Sequence, residues 1–191
     1  MDIEHSLFSG QLLVEGIEYY KKYKNIQMVD VPYIIPNDIN YLTCPPNTSL
    51  INYNENKSYV GSAEQSFLYL VSKQLLLKKY SQNENNYMAI TPCIRDEIQN
   101  ETHLHCFVKL ELFSFNEEEY INFMNYATSF FNRYLNIYIE KTPVGYDINS
   151  IKHNIELGSY GKRTVIINNE EITYSYGTAF AEPRLSYAIR I

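Results

Sequence analysis

Apolar positions recur at helical spacing in three long stretches of the chain and at alternate positions in several shorter ones. From about Ser6 to Tyr23, Phe8, Leu12, Leu13, Ile17 and Tyr20 fall on one helical face, and Lys21, Lys22 and Lys24 suit the negative end of the helix dipole. The segment "NIQMVDVPYIIP" follows, in which Ile26, Met28 and, after a change of phase, Val29 and Val31 predict a strand stopped by Pro32. Residues 40 to 60 are rich in turn formers, with "CPPNTS" and "NYNENKS", and leave room for one short strand at most. "SAEQSFLYLVSKQLLLKKY" reads as a second long helix, with Ser62 as N-cap and Lys78 and Lys79 at its end. A third, "EEEYINFMNYATSFFNRYL", follows a capping Asn116. Between these two helices, Ile90 to Ile94 and the alternation of Val108, Leu110 and Leu112 with Lys109 and Glu111 predict a hairpin around a polar loop, Gln99-Asn100-Glu101-Thr102. Beyond the third helix come short strands, a turn at Asn168-Asn169, and Gly177 opening the last element. The order of elements is that of an α+β fold, an antiparallel sheet flanked by helices, in a single domain over residues 1–191.

Composition narrows the function. A formal charge of −6 argues against a broad nucleic-acid-binding surface, because phosphate contacts need clustered Lys and Arg. No apolar run can span a bilayer and no leader is recognisable, so no membrane partner and a cytoplasmic location are expected. Cys44, Cys93 and Cys106 form no CxxC pair and read as reduced thiols.

The chemistry concentrates in "PCIRDEIQNETHLHCFVKLELF", residues 92 to 113, where Arg95, Glu97, His103, Phe107 and Glu111 would lie along two antiparallel strands. Charges at alternate strand positions commonly mark only the solvated face of a sheet. An arginine fork there can also hold a phosphate, and Phe107 offers a ring on which a purine can stack. His105 and Cys106 near His103 do not make a zinc site, since residues alternating on one strand cannot all face one ion.

This stretch resembles motif 2 of class II aminoacyl-tRNA synthetases, an Arg-x-Glu, a loop, then Arg or His, three residues, Phe, three residues and an acid; His103, Phe107 and Glu111 keep that spacing. "GIEYYKKYKNIQMVDVP", ending at Pro32, is similar to motif 1, and "GTAFAEPRLSYA" to motif 3, with Gly177, Ala179 and Arg184 in register. Ala181 stands where that family usually has glycine and Pro183 where it usually has an acid. "IELGSYGKR" resembles the Glu-x-Gly-Gly-Gly-Ser-x-Arg stretch of the aspartyl and asparaginyl enzymes, and more closely the corresponding stretch of ammonia-dependent asparagine synthetase, with Glu156 and Arg163 at its spacing.

The resemblance implies an AMP-forming, ATP-dependent ligase that activates an amino acid of aspartate or asparagine type as its adenylate and passes it to ammonia, a small amine or a carrier. It assigns Arg95 to the α-phosphate and the substrate carboxylate, Glu97 to the adenine amino group, His103 and Arg184 to the distal phosphates and Phe107 to the ring, with Arg95 and Arg184 as the catalytic pair. Glu156, Glu111 and Asp147 would help hold Mg²⁺. "GSAEQ" is similar to a Thr-Ser-x-Glu loop, which nominates Ser62 and Glu64 for the α-ammonium; a helix-capping role is the plainer reading of Glu64. Arg163 would read the side chain, but the lysine expected one turn beyond the loop is Leu68. A homodimer is implied by the motif 1 helix and strand. The short helix after motif 3 and the lack of room for an anticodon-binding domain argue against tRNA as a partner. A non-catalytic paralogue that keeps the fold for binding or regulation is the competing class.

Overall fold

The computed structural model describes residues 8–23, 25–45, 49–78, 85–96, 100 and 103–190. Glu97, Ser6, Lys24 and Lys79 lie outside the described residues. Helix α1 (Gly10–Lys21) starts at Ser9, whose hydroxyl accepts the Leu12 N–H at 3.2 Å. Strand β1 (Ile26–Met28) stops short of Pro32, and a separate β2 (Ile34–Pro36) leads into a single turn of helix, α2 (Asn37–Asn40). The region expected to hold one strand at most holds two, β3 (Asn52–Asn54) and β4 (Lys57–Tyr59). The Asn54 side chain accepts the N–H groups of Asn56 and Lys57, each at 3.0 Å, and so closes their tight turn.

Helix α3 (Ala63–Ser72) opens with a capping box in which Ser62 and Gln65 satisfy each other's end of the turn. It ends at Ser72, not near Tyr80. Gln74 adopts a left-handed backbone (φ 56°), and the N–H groups of Leu75 and Leu76 both return to the Leu70 carbonyl. The apolar run that suggested a longer helix instead leaves Leu75 and Leu77 exposed.

The main sheet continues with β5 (Asn86–Ile94), β6 (Cys106–Ser114), β7 (Ile137–Thr142), β8 (Gly145–Ser150), β9 (Glu156–Ile167) and β10 (Glu170–Glu182). Helices α4 (Glu119–Phe131) and α5 (Arg184–Arg190) complete the chain. Asn116 binds the Glu118 N–H at 3.3 Å just ahead of α4. The seven strands run in the order β1-β5-β6-β10-β9-β8-β7; β1 is parallel to β5 and every other pair is antiparallel. Asn168 and Asn169, both at positive φ, form the tight β9–β10 turn, as their sequence predicts. Gly177 lies inside β10 and opens nothing.

One face of this sheet is buried under α1, α4 and α5, where Leu110 and Leu112 of β6 meet Tyr20, Phe123, Phe130 and Leu185. Gly16 allows α1 to approach the sheet closely: a methyl there would stand 2.1 Å from the Phe180 ring. On the opposite face α3 covers only part of the sheet, packing Phe67 and Leu68 on Phe113 and Tyr174. The uncovered part is an open cleft. No helix among the described residues is long and apolar enough to cross a membrane.

Candidate active site

The alternation of β6 decides what faces the cleft. Leu110 and Leu112 go down into the helical core, so Phe107, Lys109, Glu111 and Phe113 turn to the other face. In β10 the register against β6 shifts between Thr178 and Phe180. This irregularity changes the phase, so Tyr174 before it and Ala181 after it share the cleft side while Phe180 enters the core. The resulting cleft, about 490 Å³, is lined by Arg95, His103, Phe107, Lys109, Glu111, Glu156, Arg163 and Arg184, with Ser62 and Glu64 from the start of α3.

At the hairpin end, the Nε of Arg95 donates to the Gly61 carbonyl at 2.9 Å and its guanidinium lies 5.2 Å from the centre of the Phe107 ring. One face of Phe107 is thus already covered by Arg95. Beneath the ring, Cys93 and Ala181 form a small apolar floor, so the alanine at the usual glycine position packs a methyl there. His103 sits in the loop, outside the strand; its N–H donates to the Asn100 side chain at 2.9 Å, and its Nδ1 approaches the same oxygen at 3.0 Å. Arg184, the first residue of α5, donates to the Glu156 carbonyl at 3.3 Å and lies 3.6 Å from its carboxylate.

Farther along the strands, the register sets Arg163 of β9 opposite Tyr174 of β10. Glu64 accepts from Arg163 at 3.0 Å and from the Tyr174 hydroxyl at 2.7 Å. Burial raises the Glu64 carboxyl above its ordinary value, with Arg163 and Tyr174 pulling against it. Gln65, not Glu64, completes the helix cap, so Glu64 is directed at the cleft. Arg163 also lies over Tyr176, 5.2 Å from its ring centre. Leu68 is fully buried among apolar side chains and is not part of the cleft lining.

Between the two ends, Lys109 and Glu111 pair at 2.9 Å. Both are buried, which corrects the reading of these positions as a solvated strand face. Glu111 also accepts from the Ser62 hydroxyl at 2.7 Å and from the Ala63 N–H. Burial alone would raise its carboxyl; Lys109, Ser62 and Ala63 together hold it below the ordinary carboxylate value.

Of the three carboxylates expected to hold a metal, Glu111 and Glu156 line the cleft and Asp147 lies behind Glu156, close enough to feel its charge. Glu111 already accepts from three donors, and burial raises the Asp147 carboxyl, against the Ser159 hydroxyl. That hydroxyl is shared with Glu156, whose carboxylate lies 3.3 Å from it, and its one proton serves one carboxylate at a time. Among the described residues no three His, Cys, Asp or Glu side chains converge as metal ligands. Glu156 alone of the three offers the cleft an exposed carboxylate. That set fits a Mg²⁺ held chiefly by phosphate oxygens, with Glu156 as its protein ligand, and does not fit a cage made by the protein.

No protein-family model matches the chain, and no curated protein matches it by sequence. Solved structures do. A pyrrolysyl-tRNA synthetase from Desulfitobacterium hafniense superposes with a TM-score of 0.62 at 19% identity, over 97% of this chain and 70% of that one. Seryl-tRNA synthetase from Pyrococcus horikoshii, complexed with ATP, gives 0.69 at 16% identity over 93% of this chain and 49% of its own. Cytoplasmic serine-tRNA ligase from Naegleria fowleri, in complex with AMP, gives 0.65 at 14% identity over 93% and 46%. The chain spans about half the length of these two seryl enzymes. Its fold is that of a class II aminoacyl-tRNA synthetase catalytic core.

Proposed function

We propose that this domain binds ATP and activates an amino acid as its acyl adenylate. The observation that carries the reading is the division of one cleft into two ends: Arg95 over Phe107 with Arg184 nearby, and Glu64 with Arg163 and Tyr174. The first end suits a nucleotide. Arg95 would hold the α-phosphate and the substrate carboxylate, His103 and Arg184 the distal phosphates, and Glu97 the adenine amino group, with Phe107 beneath the ring. Bound Mg²⁺ would neutralise phosphate charge, and Glu156 is the residue here that would hold it.

The second end suits the amino acid. Glu64 would take the α-ammonium and Arg163 a side-chain oxygen, which requires their mutual pair to open around the ligand. Since that pair is neutral overall, an uncharged amide side chain such as asparagine's fits better than aspartate's. The reaction needs no protein nucleophile: a carboxylate oxygen attacks the α-phosphorus and pyrophosphate leaves. An acceptor then attacks the acyl carbon and AMP leaves. Ammonia, a small amine and a carrier remain acceptors, and tRNA joins them, since the superposing enzymes are named for it.

A homodimer fits the exposed Val14 of α1 and Met28 of β1, and light scattering that finds a monomer at every concentration removes that part. The activation reading is tested by incubating the protein with ATP, Mg²⁺ and mixed amino acids. AMP and pyrophosphate should form only when amino acids are present; ADP, or no turnover in protein that binds ATP, would favour a non-catalytic paralogue. The closed Glu64–Arg163 pair is the feature that favours the latter.

A further inference from the structure

The residue that connects the two ends of the cleft is Glu111. Its Oε1 accepts from the Ser62 hydroxyl at 2.7 Å and from Lys109 at 2.9 Å, and its Oε2 accepts the Ala63 N–H. The same short segment is fastened at two further points, where the Ile94 N–H donates to the Val60 carbonyl at 2.9 Å and Arg95 to the Gly61 carbonyl at 2.9 Å. Glu64 follows this segment directly and reaches Arg163 and Tyr174 from it.

We propose that Glu111, held by Lys109, is a positioning residue for amino-acid binding: it pins the Gly61–Ala63 segment to the sheet and so sets Glu64 at the second end of the cleft. It acts through α3 and not through a bound metal. Its oxygens already accept from three protein donors, the Ser62 hydroxyl, the Lys109 ammonium and the Ala63 N–H, and the register puts it in mid-sheet, opposite Thr178. Displacing the first turn of α3 by as little as an ångström would break the Glu64 contacts, whereas Arg95 would give up at most its bond to the Gly61 carbonyl and stay over Phe107, because its N–H is held by the His105 carbonyl across the hairpin at 2.9 Å.

The inference rests on the activation reading for its kinetic consequence but not for its structural one, and the two are measured separately. Backbone hydrogen exchange of the ligand-free full chain is compared between wild type, Glu111→Gln and Glu156→Gln. Amides of residues 61–66 should exchange roughly tenfold faster in Glu111→Gln alone, with β8 and β9 unchanged. In pyrophosphate exchange, Glu111→Gln should raise the amino-acid KM about tenfold while the ATP KM and the Mg²⁺ midpoint stay within about twofold. If Glu111→Gln does not fold, the double variant Lys109→Met, Glu111→Gln removes the orphaned ammonium and retains an amide acceptor for Ala63. Unchanged exchange at 61–66, or a raised Mg²⁺ requirement with an unchanged amino-acid KM, overturns the proposal. A wild type without pyrophosphate exchange would remove the activation reading and leave the hydrogen-exchange comparison to decide the clamp.

Discussion

The two faces of the central strands bury ionisable groups in opposite ways. On the cleft face, Lys109 and Glu111 are paired at 2.9 Å and Glu64 and Arg163 at 3.0 Å. On the helical face, Glu182 is completely buried at the end of β10, close in sequence to Phe180 and Leu185 of the helical core. Its carboxyl is pushed up to about 7 by burial, against Ser186, the backbone N–H of Ser9 and Arg190. A charge in a low-dielectric setting persists when a partner compensates its lost hydration, and otherwise the group takes up a proton. The cleft therefore holds its ions compensated for a charged ligand, whereas the core face leaves its acid about half protonated near pH 7.

Breaking the pair on the cleft face should have the largest effect on stability. Lys109→Ala leaves Glu111 buried without its cation and should cost about 3 kcal/mol, read as a lower urea midpoint at unchanged slope. Full stability in that variant would mean that the pair is solvated. Next in size is nucleotide affinity. Arg95→Ala and Arg184→Ala should each weaken ATP·Mg²⁺ binding by roughly 1.5 to 3 kcal/mol in calorimetry. Unchanged affinity in both removes the nucleotide from the hairpin end.

Glu182 gives a smaller effect with a definite pH window. Its folded pKa of about 7 lies above the ordinary 4.5, so its favourable contribution is complete below about pH 4.5 and is lost as pH rises through about 7. Glu182→Gln should therefore stabilise the protein by about 2 kcal/mol at pH 8 and have almost no effect at pH 4.5. A gain of the same size at both pH values would show that the carboxyl is not titrating in this range. Smallest is Gly16→Ala on the core face, where the added methyl must displace Phe180; a loss of about 1 to 2 kcal/mol is expected in the same urea titration.

Local chemistry accounts for what the sequence made legible. The β5–β6 hairpin follows from two-residue alternation, the start of α3 from Ser62 and Gln65, and the β9–β10 turn from two asparagines that tolerate positive φ. The end of α3 was hidden because Leu75, Leu76 and Leu77 continue the apolar pattern, while the backbone reverses at Gln74. In the cleft, resemblance to a known motif nominated Glu64 and Arg163 for one pocket. That they bind each other across 99 positions depends on the β9–β10 register and on Tyr174, a residue no local pattern singles out. Lys109 was visible as a polar position in a strand, but period-two alternation cannot distinguish water from a cleft on the polar side. Burial of its partner under the start of α3 makes that distinction.

Amino-acid-dependent exchange of labelled pyrophosphate into ATP, screened over the twenty amino acids one at a time, tests the central claim most directly, because it requires the adenylate and no knowledge of the acceptor. The account predicts exchange that is strongest with asparagine or another amide side chain, and an Arg163→Ala variant that loses selectivity among amino acids more than it loses ATP affinity. Strongest exchange with an apolar amino acid would contradict the pocket drawn from Glu64 and Arg163. Absence of exchange with every amino acid, in protein that binds ATP, would contradict activation itself.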